Sequence, residues 1–368
     1  MCRRLMLAVL LTAVSILLLA LPASCDRPAG EEEPGALEEA SRRILLKELD
    51  HPFGPVRHLP ASLLARAGDK RGIEELGKLL KITALDVNQW TVRTIGRLGL
   101  TEYVPDIIEL TRSKNQSLRE AACSSLGKLG GDAAIQRLTE LMQSPDRARA
   151  AVAALALARL RPKLAEAHLL KRMRQQHPKI PRLGVAQALL RYVGSREAEE
   201  YVDQILETTQ QPWTKMQCAI ALCYVPERRQ ESLKTLVKMY PDLSAGERAS
   251  FMVHLGQVPG HDTLTPLIVL GATDKDAGVR AATARTLGRR PERMERIIKA
   301  LIQLLGDEDP LVRALAAESL GLQGSRRELR HLKGLLDDKR HRRVVLQAAG
   351  AILNIIKRTR AEQPDEQP

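Results

Sequence analysis

Two acid–base pairs in this chain invite a chemical reading. In DEDPLVRALAAESLG, Asp309 precedes Arg313 by four residues, and upstream, in DKDAGVRAATARTLG, Asp276 precedes Arg280 by the same interval. An acid and a guanidinium one helical turn apart could hold an anion or move a proton. The acid's slot, however, is Asn115 before Arg119 and Ser244 before Arg248. Asp, Asn and Ser share the ability to cap a helix and share no acid–base chemistry. The pair is therefore read as structural. Asp309 is expected to accept from the amides of Leu311 and Val312, with Pro310 at the first helical position, where no N–H is missed. Arg313 should reach back, or across to a neighbouring unit.

The other residue types that carry chemistry point the same way. The histidines are His51, His58, His168, His177, His254, His261, His331 and His341, and none forms an i, i+4 metal pair or an HExxH arrangement. GIEELGKLL (72–80) echoes a phosphate loop, but Leu79 stands where Ser or Thr would reach magnesium, and Ile73, Leu76 and Leu80 form an apolar stripe. No Gly-x-Ser-x-Gly turn is present. Cys123, Cys218 and Cys223 lie in apolar helical runs and read as small buried thiols. The sequence predicts no catalytic residue, no metal ligand and no cofactor.

The elements that would position these residues are helices. Aromatics make up only 2% of the chain, far below what large β structures use. From Ala36 onward an aliphatic–Arg pair recurs, followed by small residues, Leu-Gly and a closing Gly, as at Val56-Arg57, Leu118-Arg119, Val279-Arg280 and Val312-Arg313. The near-constant step between units, roughly thirty residues, marks a solenoid of two-helix units that bury their apolar faces only when stacked. Gly68, Gly99, Gly130, Gly194 and Gly324 fall in helix-end slots that want positive φ. Gly96, Gly127, Gly256, Gly288 and Gly321 fall within helices, where close packing excludes a side chain.

DPLVRALAAESLG (309–321), DAGVRAATARTLG (276–288) and QSLREAACSSLGKLGGDAAIQRLTEL (116–141) resemble HEAT repeats, in particular the short HEAT-like repeats of phycobilisome lyases. The resemblance implies an all-α fold, a right-handed α-solenoid of about ten helical pairs over residues 36–358. The helices beginning at positions such as Val279 and Val312 would line its concave face. Some HEAT-like enzymes, the deoxyhypusine hydroxylases, hold two irons with His-Glu dipeptides; this chain has no His-Glu, which argues against that activity.

Residues 1–25 combine Arg3 and Arg4, an apolar run and small residues before Cys25, the order of an export signal, long enough also to serve as an uncleaved anchor. LPASC (21–25) resembles a bacterial lipobox with Cys25 as the lipidation point, although Pro22 departs from that pattern. Residues 26–35 read as an acidic Pro/Gly spacer and 359–368 as a disordered polar tail. These features place the protein in the bacterial envelope, periplasmic or membrane-anchored, or else secreted.

The net charge is +13, and residues 279–360 hold nineteen Lys or Arg against nine Asp or Glu. Arg289, Arg290, Arg326, Arg327, Arg330, Arg342 and Arg343 fall in clusters that stacking would align into a basic strip. The expected function is a non-enzymatic scaffold binding a protein or peptide partner. Two alternatives stand beside it: an anionic partner at the basic strip, or a lyase-like enzyme or accessory. Nucleic acid is disfavoured by the export signal and by the scarcity of aromatics for base stacking.

Overall fold

A computed structural model of the chain describes residues 34–82, 85–175, 182–256, 258, 269–290 and 294–362. In chain order the α-helices are α1 (Pro34–Leu49), α2 (Gly54–Ala67), α3 (Lys70–Leu80), α4 (Leu85–Leu98), α5 (Val104–Leu110), α6 (Gln116–Leu129), α7 (Asp132–Met142), α8 (Arg147–Ala158), α9 (Pro162–Arg174), α10 (Arg182–Tyr192), α11 (Arg196–Thr208), α12 (Pro212–Leu222), α13 (Arg229–Met239), α14 (Ala245–Leu255), α15 (Ala277–Gly288), α16 (Glu295–Leu304), α17 (Pro310–Gln323), α18 (Leu329–Lys333) and α19 (Arg342–Glu362). No strand occurs among the described residues, and no described helix is long and apolar enough to cross a membrane. The first helix starts at Pro34, inside the expected spacer, and the last runs to Glu362, past the expected boundary at 358.

The predicted caps form. Asp309 accepts from Leu311 N at 2.7 Å and Val312 N at 3.2 Å, Asp276 from Val279 N, Asn115 from Leu118 N and Ser244 from Glu247 N. The arginine reaches both ways. Arg280 donates back to the carbonyls of Asp274 and Lys275 and forward to Asp307 at 2.7 and 2.9 Å. Arg248 pairs in the same manner with Asp274, and Arg313 with Asp338. The forward partner is not the capping acid: Asp274 and Asp307 each stand two residues before it, so these arginines tie their own loop to that of the next unit.

Ten helices, α2, α4, α6, α8, α10, α12, α14, α15, α17 and α19, pack side by side in order, and the remaining helices lie outside them. The row closes, because α19 packs on α17 on one side and on α1 and α2 on the other. Twelve residues of α19 are buried, among them Leu346, Ile352, Leu353, Ile355 and Ile356, each worth roughly 1.5–3 kcal/mol of burial. The seam carries polar ties as well: Arg66 to Glu318 at 3.1 Å, Arg360 to Glu38 at 2.8 Å, and Arg342 to Glu48. The solenoid is thus a closed ring.

The internal glycines set how tightly it closes. A Cβ on Gly321 would lie 2.6 Å from Ala351 Cα, and one on Gly127 would lie 2.7 Å from Ala156 O. Where Ala65, Ala158, Leu190 and Cys223 replace the glycine, fewer residues of the neighbouring inner helices approach one another. At the helix ends, Gly68, Gly99, Gly130 and Gly194 have positive φ as expected, but Gly324 does not. Its φ is −71° and ψ 171°, because the chain leaves α17 in an extended direction.

Candidate functional site

The packing of α17 identifies which residues face the centre of the ring. Ser319 lies against Gly288 of α15, Gly321 against Ala351 of α19, and Leu320 is buried beneath the outer layer. That leaves Glu318 and Leu322 on the inward face. At the register of Leu322 the other inner helices carry Arg66, Arg97, Lys128, Arg159, Arg191 and Arg289, the first four evenly spaced by one unit length. One turn earlier, at the register of Glu318, stand Arg93 and Arg285.

The cations converge across the lumen. Arg97 senses the charges of Arg66, Glu318, Arg289 and Arg285, and Lys128 senses Arg159, Arg97, Arg289 and Arg93. Lys128 and Arg289 are on inner helices five places apart in a ring of ten, so they face one another over the centre. The side chains of Arg97, Lys128 and Arg289 touch solvent in the lumen yet are enclosed by the ring. Burial, reinforced by neighbouring positive charge, lowers the pKa of all three.

Arg66 pairs with Glu318, whose carboxyl burial pushes up, but Arg66, Arg97 and Arg285 outweigh this and hold it below the usual range. Among the described residues, Arg93, Arg97, Lys128, Arg159, Arg285 and Arg289 have no carboxylate within ion-pair distance. The arrangement is a cationic surface in which Glu318, paired with Arg66, is the carboxylate that Arg97 and Arg289 sense.

The expected strip does not form as a strip. Arg289 faces the lumen. Arg290 is 3% exposed and donates to Leu255 O at 3.3 Å, so it braces α14 and is not presented to a partner. Arg326 donates to Thr359 Oγ1, Arg327 is exposed, and Arg330 lies beside His331 on the outer α18. Arg342 and Arg343 are exposed at the start of α19, and Arg342 is paired with Glu48. The clusters separate because DKRHRRV begins an inner helix whereas SRRELRHLK follows one. The beginnings and ends of the inner helices lie on opposite rims of the ring. Cys25 lies outside the described residues.

The lumen cations lie apart from one another along the chain, mostly outside its dense basic clusters. Their sequence signal is sparse: one basic residue immediately after the packing Gly or its equivalent, repeated at the unit length. The three remaining cysteines are buried and unpaired, their thiols pushed up by burial, to about 11 for Cys123 and Cys218 and about 12 for Cys223. Gly72 and Leu76 of the phosphate-loop echo are buried within α3, with Gly72 against α2. Among the described residues no three of His, Cys, Asp and Glu group as metal ligands would.

No curated protein matches the chain. Among solved structures, it is similar to human deoxyhypusine hydroxylase in complex with glycerol, at 16% identity over 89% of this chain and 100% of that one, with a TM-score of 0.32. It is also similar to the complex of CpcE and CpcF of phycocyanin lyase from Nostoc sp. PCC7120, at 17% identity over 76% and 94%, with a TM-score of 0.25. An engineered protein aligns at 19% identity over 86% and 99%, with a TM-score of 0.29. Over residues 83–158 and 264–353 the chain matches the family described as HEAT repeats, in keeping with the all-α solenoid of stacked helical pairs.

Proposed function

We propose that the chain is a non-enzymatic scaffold that holds an acidic segment of a protein partner against the inner face of its ring. The observation that carries this is the register of Arg97, Lys128, Arg159 and Arg289, which converge on the lumen without carboxylate partners among the described residues. Like charges held together disfavour the empty ring, and a row of carboxylates would relieve that repulsion. Guanidinium groups also accept carboxylates in paired hydrogen bonds. The anionic partner expected at the C-terminal arginines is thereby reassigned to the lumen. We further propose that the protein works outside the bacterial cytoplasm, released from or tethered through residues 1–25; the order of cations, apolar run and small residues supports this.

The test is binding of a fluorescent ten-residue glutamate peptide against its glutamine counterpart across a salt series. The glutamate peptide should bind at least about tenfold tighter at low salt. It should weaken as salt rises. The double variant Arg97→Glu/Arg289→Glu, confirmed helical by circular dichroism, should lose most of the difference. Equal binding of the two peptides, or indifference to the charge reversal, would overturn the proposal. Sequencing the mature N-terminus checks the location: an intact Met1 on protein found in the cytosol sinks it.

A further inference from the structure

The arginine that ties loop to loop has its partner in some units and lacks it in others. In Arg280, Nη1 donates back to the carbonyls of Asp274 and Lys275, and the Nε–Nη2 edge grips the Asp307 carboxylate at 2.7 and 2.9 Å. Arg248 grips Asp274 through the same edge at the same two distances, 2.7 and 2.9 Å. Arg119 of α6 is held in the same posture, its Nη1 donating to the carbonyls of Ser113 and Lys114 at 2.9 and 2.8 Å. Its Nε and Nη2, however, have no hydrogen-bond partner among the described residues.

The vacancy traces to one residue. Asp274 and Asp307 stand two places before a helix cap, and each accepts from the amide of that cap at 2.9 Å. In the loop ahead of Arg119 the same place is held by Ser144, which accepts from Asp146 N at 3.2 Å. Serine keeps the loop bond and brings no carboxylate. The next unit repeats the omission: ahead of Arg149 in α8, residues 175–181 read QQHPKIP and contain no acid. Arg149 Nε is shut off from solvent without an acceptor. A buried N–H in that position is destabilising until an oxygen reaches it.

Both arginines line one cavity of about 100 Å³ between the starts of α6 and α8, at the rim where the inner helices begin. A single water needs only about 10–15 Å³ of such space, so the cavity admits a larger group. Gln116, Glu120 and Asp146 share its lining. The two carboxylates are engaged elsewhere: Asp146 Oδ1 caps α8 through the amides of Ala148 and Arg149, and Glu120 accepts from Gln116. Neither is ion-paired with Arg119 or Arg149 among the described residues. Their negative charge nonetheless disfavours a dianion such as phosphate beside them and leaves room for a singly charged group.

We infer that this cavity is a binding site for one carboxylate group, gripped by the Nε–Nη2 edge of Arg119 with Arg149 as the second cation. The chain supplies the precedent, since an arginine in this posture holds a carboxylate in two other units. Paired, charge-assisted hydrogen bonds of this kind are the strong ones. The carboxylate belongs either to a small free acid or to an acidic side chain of a partner. The site stands at the opposite rim from the helix ends that carry Arg97, Lys128 and Arg289, and it is independent of the lumen reading.

The experiment uses the full chain with isotope-labelled arginine and reads the Nε–Hε resonances by NMR, that of Arg119 being assigned through Arg119→Lys. Acetate is titrated against chloride at matched ionic strength and against acetamide, its neutral counterpart. Acetate should move the Arg119 resonance saturably and bind about tenfold tighter than chloride, while acetamide leaves it in place. Ser144→Asp, checked for helicity by circular dichroism, installs the missing partner and should weaken the acetate response about tenfold. N-acetyl-aspartate methylamide separates the two sources: binding that matches acetate assigns the site to a partner's side chain, and binding by acetate alone assigns it to a small free acid. An Arg119 resonance that ignores acetate, a shift matched by chloride, or an undiminished response in Ser144→Asp overturns the inference and leaves the scaffold reading standing.

Discussion

Gly321→Ala should destabilise a helix that alanine ordinarily favours. In an exposed helix interior the change gains about 1 kcal/mol of helix propensity. Here the new Cβ would stand 2.6 Å from Ala351 Cα and 2.7 Å from Ala351 Cβ, on the neighbouring inner helix. Carbon atoms rest at about 3.5–4.0 Å, so α19 must retreat by about 1 Å. α19 is held by α17 on one side and by α1 and α2 on the other, and retreat strains the seam that closes the ring. Overpacking of this kind costs about 1–3 kcal/mol and offsets or exceeds the propensity gain. Gly246→Ala is the comparator, because nothing lies within 4 Å of its Cβ position in α14; it should gain about 0.4–1 kcal/mol. Urea unfolding followed by circular dichroism should therefore place Gly321→Ala about 1–3 kcal/mol below Gly246→Ala. If Gly321→Ala matches or exceeds Gly246→Ala in stability, the inner helices are not in the close contact described and the ring is looser than stated.

Two further outcomes follow from named contacts. Arg280→Met should cost about 3–5 kcal/mol in the same unfolding assay, because it strands the Asp307 carboxylate, whose side chain is 7% exposed; adding Asp307→Leu should restore much of the loss. His58, packed 6.0 Å from Trp90, has its pKa lowered from 6.5 to about 4 by burial, with Arg97 adding to the effect, so the unfolded chain takes up this proton first as pH falls. Its contribution is full above pH 6.5 and is lost between 6.5 and 4, by up to about 3 kcal/mol, and His58→Gln should flatten that part of the stability–pH curve.

Much of the local structure was legible because it depends on short-range chemistry. Asp309, Asp276, Asn115 and Ser244 cap helices wherever a helix begins, and their interchange in one slot already separated capping from catalysis. Gly96, Gly127, Gly256, Gly288 and Gly321 could be read as close-approach points because a glycine within a helix otherwise sacrifices propensity without return. Gly324 departs from the expected positive φ because the left-handed helix end depends on where the chain goes next, toward the short turn before α18.

The candidate site was less legible. The C-terminal arginines drew attention by density along the chain, but density does not report which rim of a ring a residue reaches. Arg290, expected from the sequence as a surface charge, is a buried brace. The sequence by itself determined the unit: two short helices, their caps, the arginine that ties loop to loop, and the near-constant step, all set by interactions within one unit or with the next. Only the tertiary structure decided that ten units close on themselves. Closure depends on a small angle between neighbours, accumulated from each close glycine contact and each wider one, and on whether α19 meets α2. It is that closure which turns solitary cations a whole unit apart, unremarkable along the chain, into one cationic field.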